Sequence, residues 1–211
     1  MRCPMSQPLT QHWQTIYSTK DPKEVSWFQA QASTSLRLIQ KAQLHPEAEI
    51  IDVGGGASVL VDQLLEQGFK HITVLDLAEA ALQKSQVRLG ELANKVTWLI
   101  ANIVEVEFAD HQFDLWHDRA VFHFLTEHND QQRYLQKVTA ALKSGGYLVI
   151  STFAEDGALK CSGLPVQRYS TQELIHFFGQ SAFDVVEEGK EVHITPAGNE
   201  QKFSYLLLRK K

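Results

Sequence analysis

The sequence predicts an α/β protein built on a three-layer, Rossmann-like sheet of seven strands, mostly parallel with an antiparallel hairpin at the carboxyl end. Three observations lead to this fold class. Short apolar runs alternate with segments whose apolar residues recur at helical spacing, which is typical of β-α units. A glycine turn, Gly54 to Gly56, follows the first of these runs. Two strand-like segments, 183–195 and 203–209, end the chain with no helix between them, which indicates a hairpin.

The composition is that of a soluble globular protein with one core. The chain has 211 residues, of which 44% are hydrophobic and 21% charged. We expect residues 1–211 to form a single domain, with 1–9 disordered, 10–45 folded as a helical cap and 46–211 as the Rossmann-like core. The net charge of −5 argues against a general nucleic-acid binder.

The sequence also predicts a cytoplasmic protein that does not enter a membrane. No apolar run approaches the roughly 20 residues that span a bilayer, and the amino terminus has no apolar secretory core. The two cysteines, Cys3 and Cys161, form no C-x-x-C pair, which fits a reducing compartment.

Two helices are predicted ahead of the sheet. The first begins near Thr10 and places Trp13, Ile16 and Tyr17 on one side, and Asp21-Pro22 ends it. The second is expected over residues 23–44.

The glycine turn belongs to the first β-α unit. Ile50 and Ile51 end a buried strand, with Asp52 at its carboxyl end. The glycines let the backbone approach a ligand where a Cβ atom would collide. After the next helix, the strand 72–75 ends in Asp76, which lies 22 positions after Gly54 (76 minus 54), where such folds place the carboxylate that binds ribose hydroxyls.

The remaining elements continue the alternation. A helix at 78–92 is followed by strands at 96–100 and 113–118, then by a helix that begins near Asn129 or Asp130 and ends at Gly145-Gly146. A strand at 147–151 and a loop at 153–169 come next. The capping box Ser170 to Glu173 opens the last helix, and the first of the final two strands has a bulge at Gly189.

The motif Asp52-x-Gly54-x-Gly56, with Asp76 closing the next strand, resembles the class I S-adenosylmethionine-dependent methyltransferases. The fragment from His12-Trp13 to Tyr17, followed by Val25-Ser26-Trp27-Phe28, is similar to the opening of small bacterial members of that family. The terminal hairpin is similar to theirs, whereas ordinary dinucleotide-binding domains usually lack one. The dehydrogenase fingerprint fits less well, because its third glycine falls on Val59. The further glycine of many methyltransferases is replaced here by Ser58. The resemblance implies S-adenosyl-L-methionine as cofactor and methyl transfer as the reaction.

The resemblance also implies which residues hold the cofactor. Asn102 takes the place of an aspartate that binds the adenine amino group, and its amide oxygen can accept that bond. The alternative for Asn102 is an Asx turn. Trp13 and Tyr17 either close over the cofactor or anchor their helix to the core. The complete set of expected cofactor-binding residues is Trp13, Tyr17, Asp52, Gly54, Gly55, Gly56, Asp76, Leu77, Asn102 and Ile103.

The candidates for catalysis and substrate binding cluster after the fourth strand. A general base is needed only when the nucleophile is protonated. Asp118 is the first choice, ahead of His123 and His117, because its predicted position at the end of the fourth strand faces the methyl group. The alternative role for Asp118 is a cap or a partner for Arg119. Arg119 and Arg168 suit an anionic substrate or ordinary ion pairs. The predicted substrate residues are Trp27, Arg119, Arg168 and Tyr169.

No metal site is predicted, since the spacings of six, six and five among His111, His117, His123 and His128 match no metal motif. The acidic balance and short loops favour a small-molecule methyl acceptor. The alternatives are a protein lysine as acceptor, a non-enzymatic cofactor-binding module on the same fold, and a nicotinamide-dependent oxidoreductase.

Overall fold

The computed structural model describes residues 6–179 and 182–211 of the chain. Its strands are β1 (Glu49–Val53), β2 (His71–Asp76), β3 (Val96–Ile100), β4 (Phe113–Arg119), β5 (Leu142–Phe153), β6 (Lys160–Cys161), β7 (Leu164–Pro165), β8 (Phe183–Ile194) and β9 (Glu200–Lys210). Its α-helices are α1 (Ser6–Thr19), α2 (Ser33–Lys41), α3 (Leu60–Glu66), α4 (Glu79–Leu89), α5 (His128–Ala141) and α6 (Thr171–Phe178). Short 3₁₀ helices cover Gly90–Lys95 and Phe122–Phe124.

One seven-stranded sheet organises the molecule, in the order β3-β2-β1-β4-β5-β9-β8. The pairs among β1 to β5 are parallel. The pairs β5–β9 and β8–β9 are antiparallel. The predicted fold class, a mostly parallel α/β sheet with an antiparallel hairpin at its carboxyl end, is therefore confirmed.

Helices cover both faces of the sheet. Ile50 and Ile51 are both fully buried, yet they belong to separate core clusters, because successive strand residues point to opposite faces. Ile50 packs with residues of α2, α3 and α4, whereas Ile51 packs with residues of α5 and α6. A sheet buried on both sides explains why its strands are continuous apolar runs rather than alternating ones.

The amino-terminal region differs from its prediction. Helix α1 begins at Ser6, so residues 6–9 are helical, while residues 1–5 of the predicted disordered segment lie outside the described residues. The helix predicted over 23–44 is reduced to α2. Turns replace its first part because Asp21 Oδ1 accepts from the Lys23 N–H (2.8 Å) and the Asp21 carbonyl from the Glu24 N–H (3.0 Å), a local bonding pattern that competes with a helix.

Two boundaries near the carboxyl end also differ. Helix α5 stops at Ala141 rather than at Gly145-Gly146, and the buried Leu142 begins β5 in an extended conformation. Lys210 Nζ donates to the carbonyls of Thr139 (2.5 Å) and Leu142 (2.6 Å) and so satisfies the end of the helix.

The bulge in β8 lies between Val185 and Glu187, not at Gly189. Gly189 instead makes room for the Tyr205 ring, since a Cβ atom there would lie 2.4 Å from Tyr205 Oη. The predicted loop 153–169 contains the β6–β7 hairpin. The capping box is confirmed: the Glu173 N–H donates to Ser170 Oγ (3.2 Å) and the Ser170 N–H to Glu173 Oε2 (2.7 Å).

No helix within the described residues is long and apolar enough to cross a bilayer.

Candidate functional site

Two adjoining cavities open at the carboxyl ends of β1, β2 and β4, where the chain leaves β1 for β2 on one side and returns to β4 on the other. Ligands of open α/β sheets bind at such a reversal of strand order. The first cavity holds about 790 Å³ of empty space, its open mouth included, and the second about 590 Å³. The first is lined by Leu9, Trp13, Tyr17, Trp27, Gly54, Leu75, Asp76, Leu77, Ala101, Asn102, Ile103, Arg119, Ala120, Val121, Phe124, Leu125 and Cys161. The second is lined by Tyr17, Pro22, Val25, Trp27, Phe28, Gln29, Ala32, Ser35, Asp52, Gly54, Gly55, Ala57, Ser58, Val59, Leu60, His117 and Arg119.

Gly54 lines both cavities and Gly55 lines the second, and the glycine turn has no room for side chains. Gly54 and Gly56 adopt positive φ angles of 69° and 39°, which favour glycine. A Cβ atom on Gly54 would lie 2.0 Å from Val121 Cγ2, and one on Gly56 would lie 2.6 Å from Asp76 Oδ2. Side chains at these positions would therefore displace Val121 or Asp76, which line the first cavity.

Asp76 presents a buried carboxylate to the first cavity. The residue is 7% exposed, and its Oδ1 accepts from the Ala78 N–H at 2.8 Å. Burial raises the pKa of Asp76 to about 7, an effect that the backbone bond from Ala78 partly offsets. Hydroxyl donors on a bound ligand would favour the charged form of this carboxylate.

A buried hydrogen-bonded array lies beneath the glycine turn. His117 Nδ1 lies 2.7 Å from Asp52 Oδ1, and His117 Nε2 lies 2.8 Å from Ser35 Oγ. All three residues are at most 5% exposed. The other carboxylate oxygen, Asp52 Oδ2, is buried without a hydrogen-bond partner.

The sequence did not reveal this array. The residue pattern predicts only a helix around Ser35, and it offers His117 as a candidate base whose spacing from the other histidines matches no metal motif. The signal that could have found the pair is strand register: Asp52 and His117 are direct neighbours on parallel β1 and β4, so their side chains share a face.

Asp118 does not face a cavity, in contrast to the prediction that it faces a reacting group. It is fully buried, and its carboxylate accepts from the N–H groups of Val121 (2.9 Å) and Phe122 (3.1 Å) and from Tyr134 Oη (2.6 Å). Burial raises the pKa of Asp118 to about 6. These contacts match the alternative role of a cap, since they hold the 3₁₀ turn that follows β4.

His123 is likewise fully buried and lines neither cavity. Its Nδ1 accepts from the Phe153 N–H at 3.2 Å. Burial, with a smaller contribution from the charge of Arg119, lowers the pKa of His123 to about 3. The placement supports a structural role for His123 and does not support the predicted catalytic one.

Two predicted substrate residues also point elsewhere. Arg168 Nη1 donates to the Gly157 carbonyl at 3.1 Å. Tyr169 is 7% exposed and packs against Phe122 at a ring distance of 5.4 Å. Neither residue lines the two cavities. The guanidinium of Arg168 binds the backbone of its own loop, and the ring of Tyr169 packs into the core.

Arg119 and Trp27, the other two, do line both cavities. The guanidinium carbon of Arg119 lies 4.4 Å from the centre of the Phe203 ring. Its Nε and Nη2 atoms are buried and have no hydrogen-bond partner. Burial lowers the pKa of Arg119. The Trp27 indole N–H donates to Tyr17 Oη at 3.2 Å.

The amino-terminal aromatic residues form one wall of the first cavity. Trp13 lies 5.6 Å from Trp27 and 5.2 Å from Phe124 in edge-to-face contacts, and Tyr17 lies 6.1 Å from Trp27. The two roles weighed for Trp13 and Tyr17 are therefore compatible, since the same rings anchor α1 and cover the cavity.

On the opposite wall, Leu77, Asn102 and Ile103 line the first cavity. Asn102 forms the Asx turn that was its alternative: its Oδ1 accepts from the Val104 N–H at 3.2 Å, and its Nδ2 donates to Glu105 Oε1 at 3.2 Å. In residues 6–179 and 182–211, no group of three His, Cys, Asp or Glu side chains is placed to hold a metal ion.

Comparison with known proteins yields a domain family, protein relatives and solved structures of the same fold. Residues 51–150 match a family model described as a methyltransferase domain. The eEF1A lysine and N-terminal methyltransferase of Bos taurus is 23% identical over 71% of this chain and 22% of that protein, so this chain spans about a fifth of that relative. The EEF1A lysine methyltransferase 2 of Homo sapiens is 22% identical over 84% of this chain and 75% of that protein.

Among solved structures, the 1,6-didemethyltoxoflavin-N1-methyltransferase of Burkholderia thailandensis superposes with a TM-score of 0.72 at 18% identity. The superposition covers 100% of this chain and 92% of that one, and that protein holds 1,6-didemethyltoxoflavin and S-adenosylhomocysteine. The two chains therefore share a fold.

Proposed function

Because residues 51–150 match a family model described as a methyltransferase domain, we propose that this chain transfers a methyl group from S-adenosylmethionine to a small-molecule acceptor. The main evidence for this proposal is a pair of buried carboxylates, those of Asp52 and Asp76, which flank the glycine turn. Asp52 Oδ2 has no hydrogen-bond partner on one side of the turn, and the Asp76 carboxylate faces the first cavity on the other.

The residues present fit this cofactor. The Asp76 carboxylate is an acceptor for two ribose hydroxyls, and Asp52 Oδ2 is an acceptor for the ammonium of the amino-acid end. Leu77 and Ile103 offer apolar surface to the adenine ring, next to Asn102. Added Cβ atoms at Gly55 and Gly56 would collide with the carboxylates of Asp52 and Asp76 and displace the groups that would bind the cofactor.

When bound, the cofactor supplies a methyl carbon activated by a positively charged sulfur atom. The protein contributes by positioning the reactants, since holding two reactants in line can lower the activation barrier by about 7–11 kcal/mol. Trp13, Tyr17 and Trp27 form the apolar wall of the first cavity on the side of α1. Asp118 holds the turn after β4 that carries Val121 into the cavity wall.

The enclosed aromatic wall supports a small acceptor. The second candidate is a protein lysine, which the names of the bovine and human relatives favour. Incubating the purified chain with radiolabelled S-adenosylmethionine and a fractionated lysate separates the two, because we expect the label in the small-molecule fraction. Label confined to protein would support the lysine alternative instead.

Cofactor choice is tested by thermal stability. We expect S-adenosylhomocysteine at about 100 times its dissociation constant to stabilise the chain by about 2.7 kcal/mol. That gain corresponds to a rise of roughly 5–10 °C in melting temperature for a chain of this size. We expect NADH to leave the melting temperature unchanged. Stabilisation by NADH but not by S-adenosylhomocysteine would refute the proposed function.

Cofactor affinity should depend on pH through Asp76. The pKa of Asp76 is raised to about 7, and the ribose hydroxyls need the charged carboxylate as acceptor. Below pH 7 the carboxyl becomes protonated, so we expect the affinity for S-adenosylhomocysteine to fall up to tenfold per pH unit, and to level off above pH 7. Calorimetric titration between pH 5.5 and 8.5 measures this. Asp76→Asn should bind weakly at every pH, and a wild-type affinity that does not change between pH 5.5 and 8.5 would contradict the assignment.

A further inference from the structure

We propose that the methyl acceptor is a small organic anion, held by Arg119 and methylated on its own charged atom. The inference rests on the proposed function and names the substrate class for the same site. Its three supports are a buried guanidinium with free donors, the position of that group in the sheet, and the kinds of titratable group around it.

The first support is the state of the Arg119 guanidinium. Its Nε and Nη2 atoms are buried without a hydrogen-bond partner, whereas buried donors in proteins are normally paired. The charge of Glu191 acts on Arg119, yet Glu191 Oε2 is itself buried without a hydrogen-bond partner. A charged group that has lost its water needs a partner, and adjacent N–H groups of a guanidinium match the two oxygens of a carboxylate or a similar anion. The residue lines both cavities, so such a partner can reach it.

The second support is that the guanidinium lies over a ring of β9, although Arg119 also lines the second cavity with Gly54 and Gly55. It stacks over Phe203, which lies on β9, and the sheet order from the turn is β1-β4-β5-β9. Three strand spacings separate β1 from β9, about 14 Å in all. The cofactor's amino-acid end belongs beside the turn and Asp52. An anion at Arg119 therefore lies on the acceptor side of the site.

The third support is the absence of a useful base around that position. Besides Arg119, the titratable residues lining the first cavity in the described part of the chain are Tyr17, Asp76 and Cys161. The second cavity adds Asp52 and His117, which are hydrogen-bonded to each other, and His117 is also hydrogen-bonded to Ser35. The charge of Glu191 also acts on Arg119. Burial raises the pKa of Tyr17 far above neutrality and that of Cys161 to about 11. Asp76 lies at the end of β2, two strands from β4. An acceptor that is already anionic needs no base.

The cavity wall suggests the body of the acceptor. Trp13, Trp27 and Phe124 surround the space next to Arg119 with aromatic surface. Aromatic rings pack well against flat apolar groups. An aromatic carboxylate or thiolate combines that body with the charge that Arg119 requires.

The transfer balances without a proton. A lone pair of the acceptor's carboxylate oxygen or thiolate sulfur forms the new bond to the methyl carbon. The bond between that carbon and the sulfonium sulfur breaks, and its electron pair stays on the sulfur. One anion and one cation become two neutral products. Methylation of an ammonium or a hydroxyl group would instead release one proton for each turnover.

The binding test compares molecules of similar shape and different charge. With the full chain saturated by S-adenosylhomocysteine, we expect benzoate and thiophenolate to bind at least tenfold more tightly than benzamide. This comparison needs no variant. A dissociation constant for benzamide within threefold of those for both anions would overturn the inference. Failure of S-adenosylhomocysteine itself to bind would instead refute the proposed function, so the two failures are distinguishable.

Two variants test the residue. Arg119→Gln should lower the affinity for both anions at least tenfold while the affinity for S-adenosylhomocysteine stays within twofold, which also shows that the variant is folded. Arg168→Gln is the matched control and should bind both anions as the wild type does. Equal losses in the two variants would overturn the inference. A loss of S-adenosylhomocysteine but not of 5′-methylthioadenosine in Arg119→Gln would place the cofactor's carboxylate at Arg119 and would also overturn it.

Turnover gives an independent readout. With radiolabelled S-adenosylmethionine, we expect label in methyl phenyl sulfide or methyl benzoate and no proton release in a weakly buffered indicator assay. Release of one proton per methyl group transferred, or binding of both anions without transfer to either, would overturn the assignment of the anion as nucleophile.

Discussion

Replacing Gly56 with alanine is expected to lower the affinity for S-adenosylhomocysteine by at least about 100-fold, which corresponds to roughly 2.8 kcal/mol. The added Cβ atom would lie 2.6 Å from Asp76 Oδ2 and 3.2 Å from Ala81 Cβ. The carboxylate must therefore move from the place where it can accept two ribose hydroxyls. Hydrogen bonds to a charged group contribute about 1.5–3 kcal/mol each, so loss of both accounts for the expected effect. Calorimetric titration measures it.

Gly68→Ala is the matched control for backbone strain. Gly68 also has a positive φ angle, 88°, but nothing lies within 4 Å of a Cβ atom there. Alanine should cost about 1–2 kcal/mol of folding stability at either position because of the left-handed backbone. Only Gly56→Ala should lose cofactor affinity. If both variants lost affinity equally, strain rather than contact with Asp76 would be the cause.

The parts of this site that could be predicted from the sequence are those set by local chain chemistry. A turn with glycine at positive φ, between a strand and a helix, is visible in the residue order, and so is an acid at the end of the next strand. The resemblance to methyltransferases then placed Leu77, Asn102 and Ile103 on one cavity wall, where the structure has them. Their contacts with a cofactor remain predictions.

The parts that could not be predicted depend on which way a side chain turns at the end of a strand. Asp118 and Arg119 are consecutive on β4, so one faces into the core and the other toward the cavities. The residue order alone allows either assignment, and the acid was expected at the cavity. In the structure the Asp118 carboxylate lies in the core, because it accepts hydrogen bonds there from Tyr134 Oη and from the N–H groups of Val121 and Phe122.

Long-range pairing was also beyond the sequence. The contact of His117 with Asp52 spans 65 positions and that with Ser35 spans 82. No short-range pattern in the sequence predicts contacts over such separations. Only the register of β1 with β4, and the packing of α2 on the sheet, bring the three side chains together.

Replacing His117 with phenylalanine is expected to lower the free energy of unfolding by about 3–5 kcal/mol. The imidazole is the partner of Asp52 Oδ1, and Oδ2 has none, so the variant leaves a buried carboxylate without a hydrogen bond. A globular domain is stable by only about 5–15 kcal/mol. The loss should therefore be visible as a melting temperature lower by roughly 6–20 °C. Urea denaturation gives the free energy.

Two further variants, Ser35→Ala and Asp52→Ala, separate the effect of the unpaired carboxylate from the effect of lost packing. Ser35→Ala removes only the outer bond, to His117 Nε2, and should cost about 1 kcal/mol. If the unpaired carboxylate dominates, His117→Phe should cost much less in an Asp52→Ala background, because the charge that needs the imidazole is gone. Strict additivity of the two changes would contradict this account and leave lost packing around the ring as the reason. The same cycle, read by S-adenosylhomocysteine affinity, tests whether the array orients Asp52 for the cofactor: we expect His117→Phe to weaken binding only while Asp52 is present.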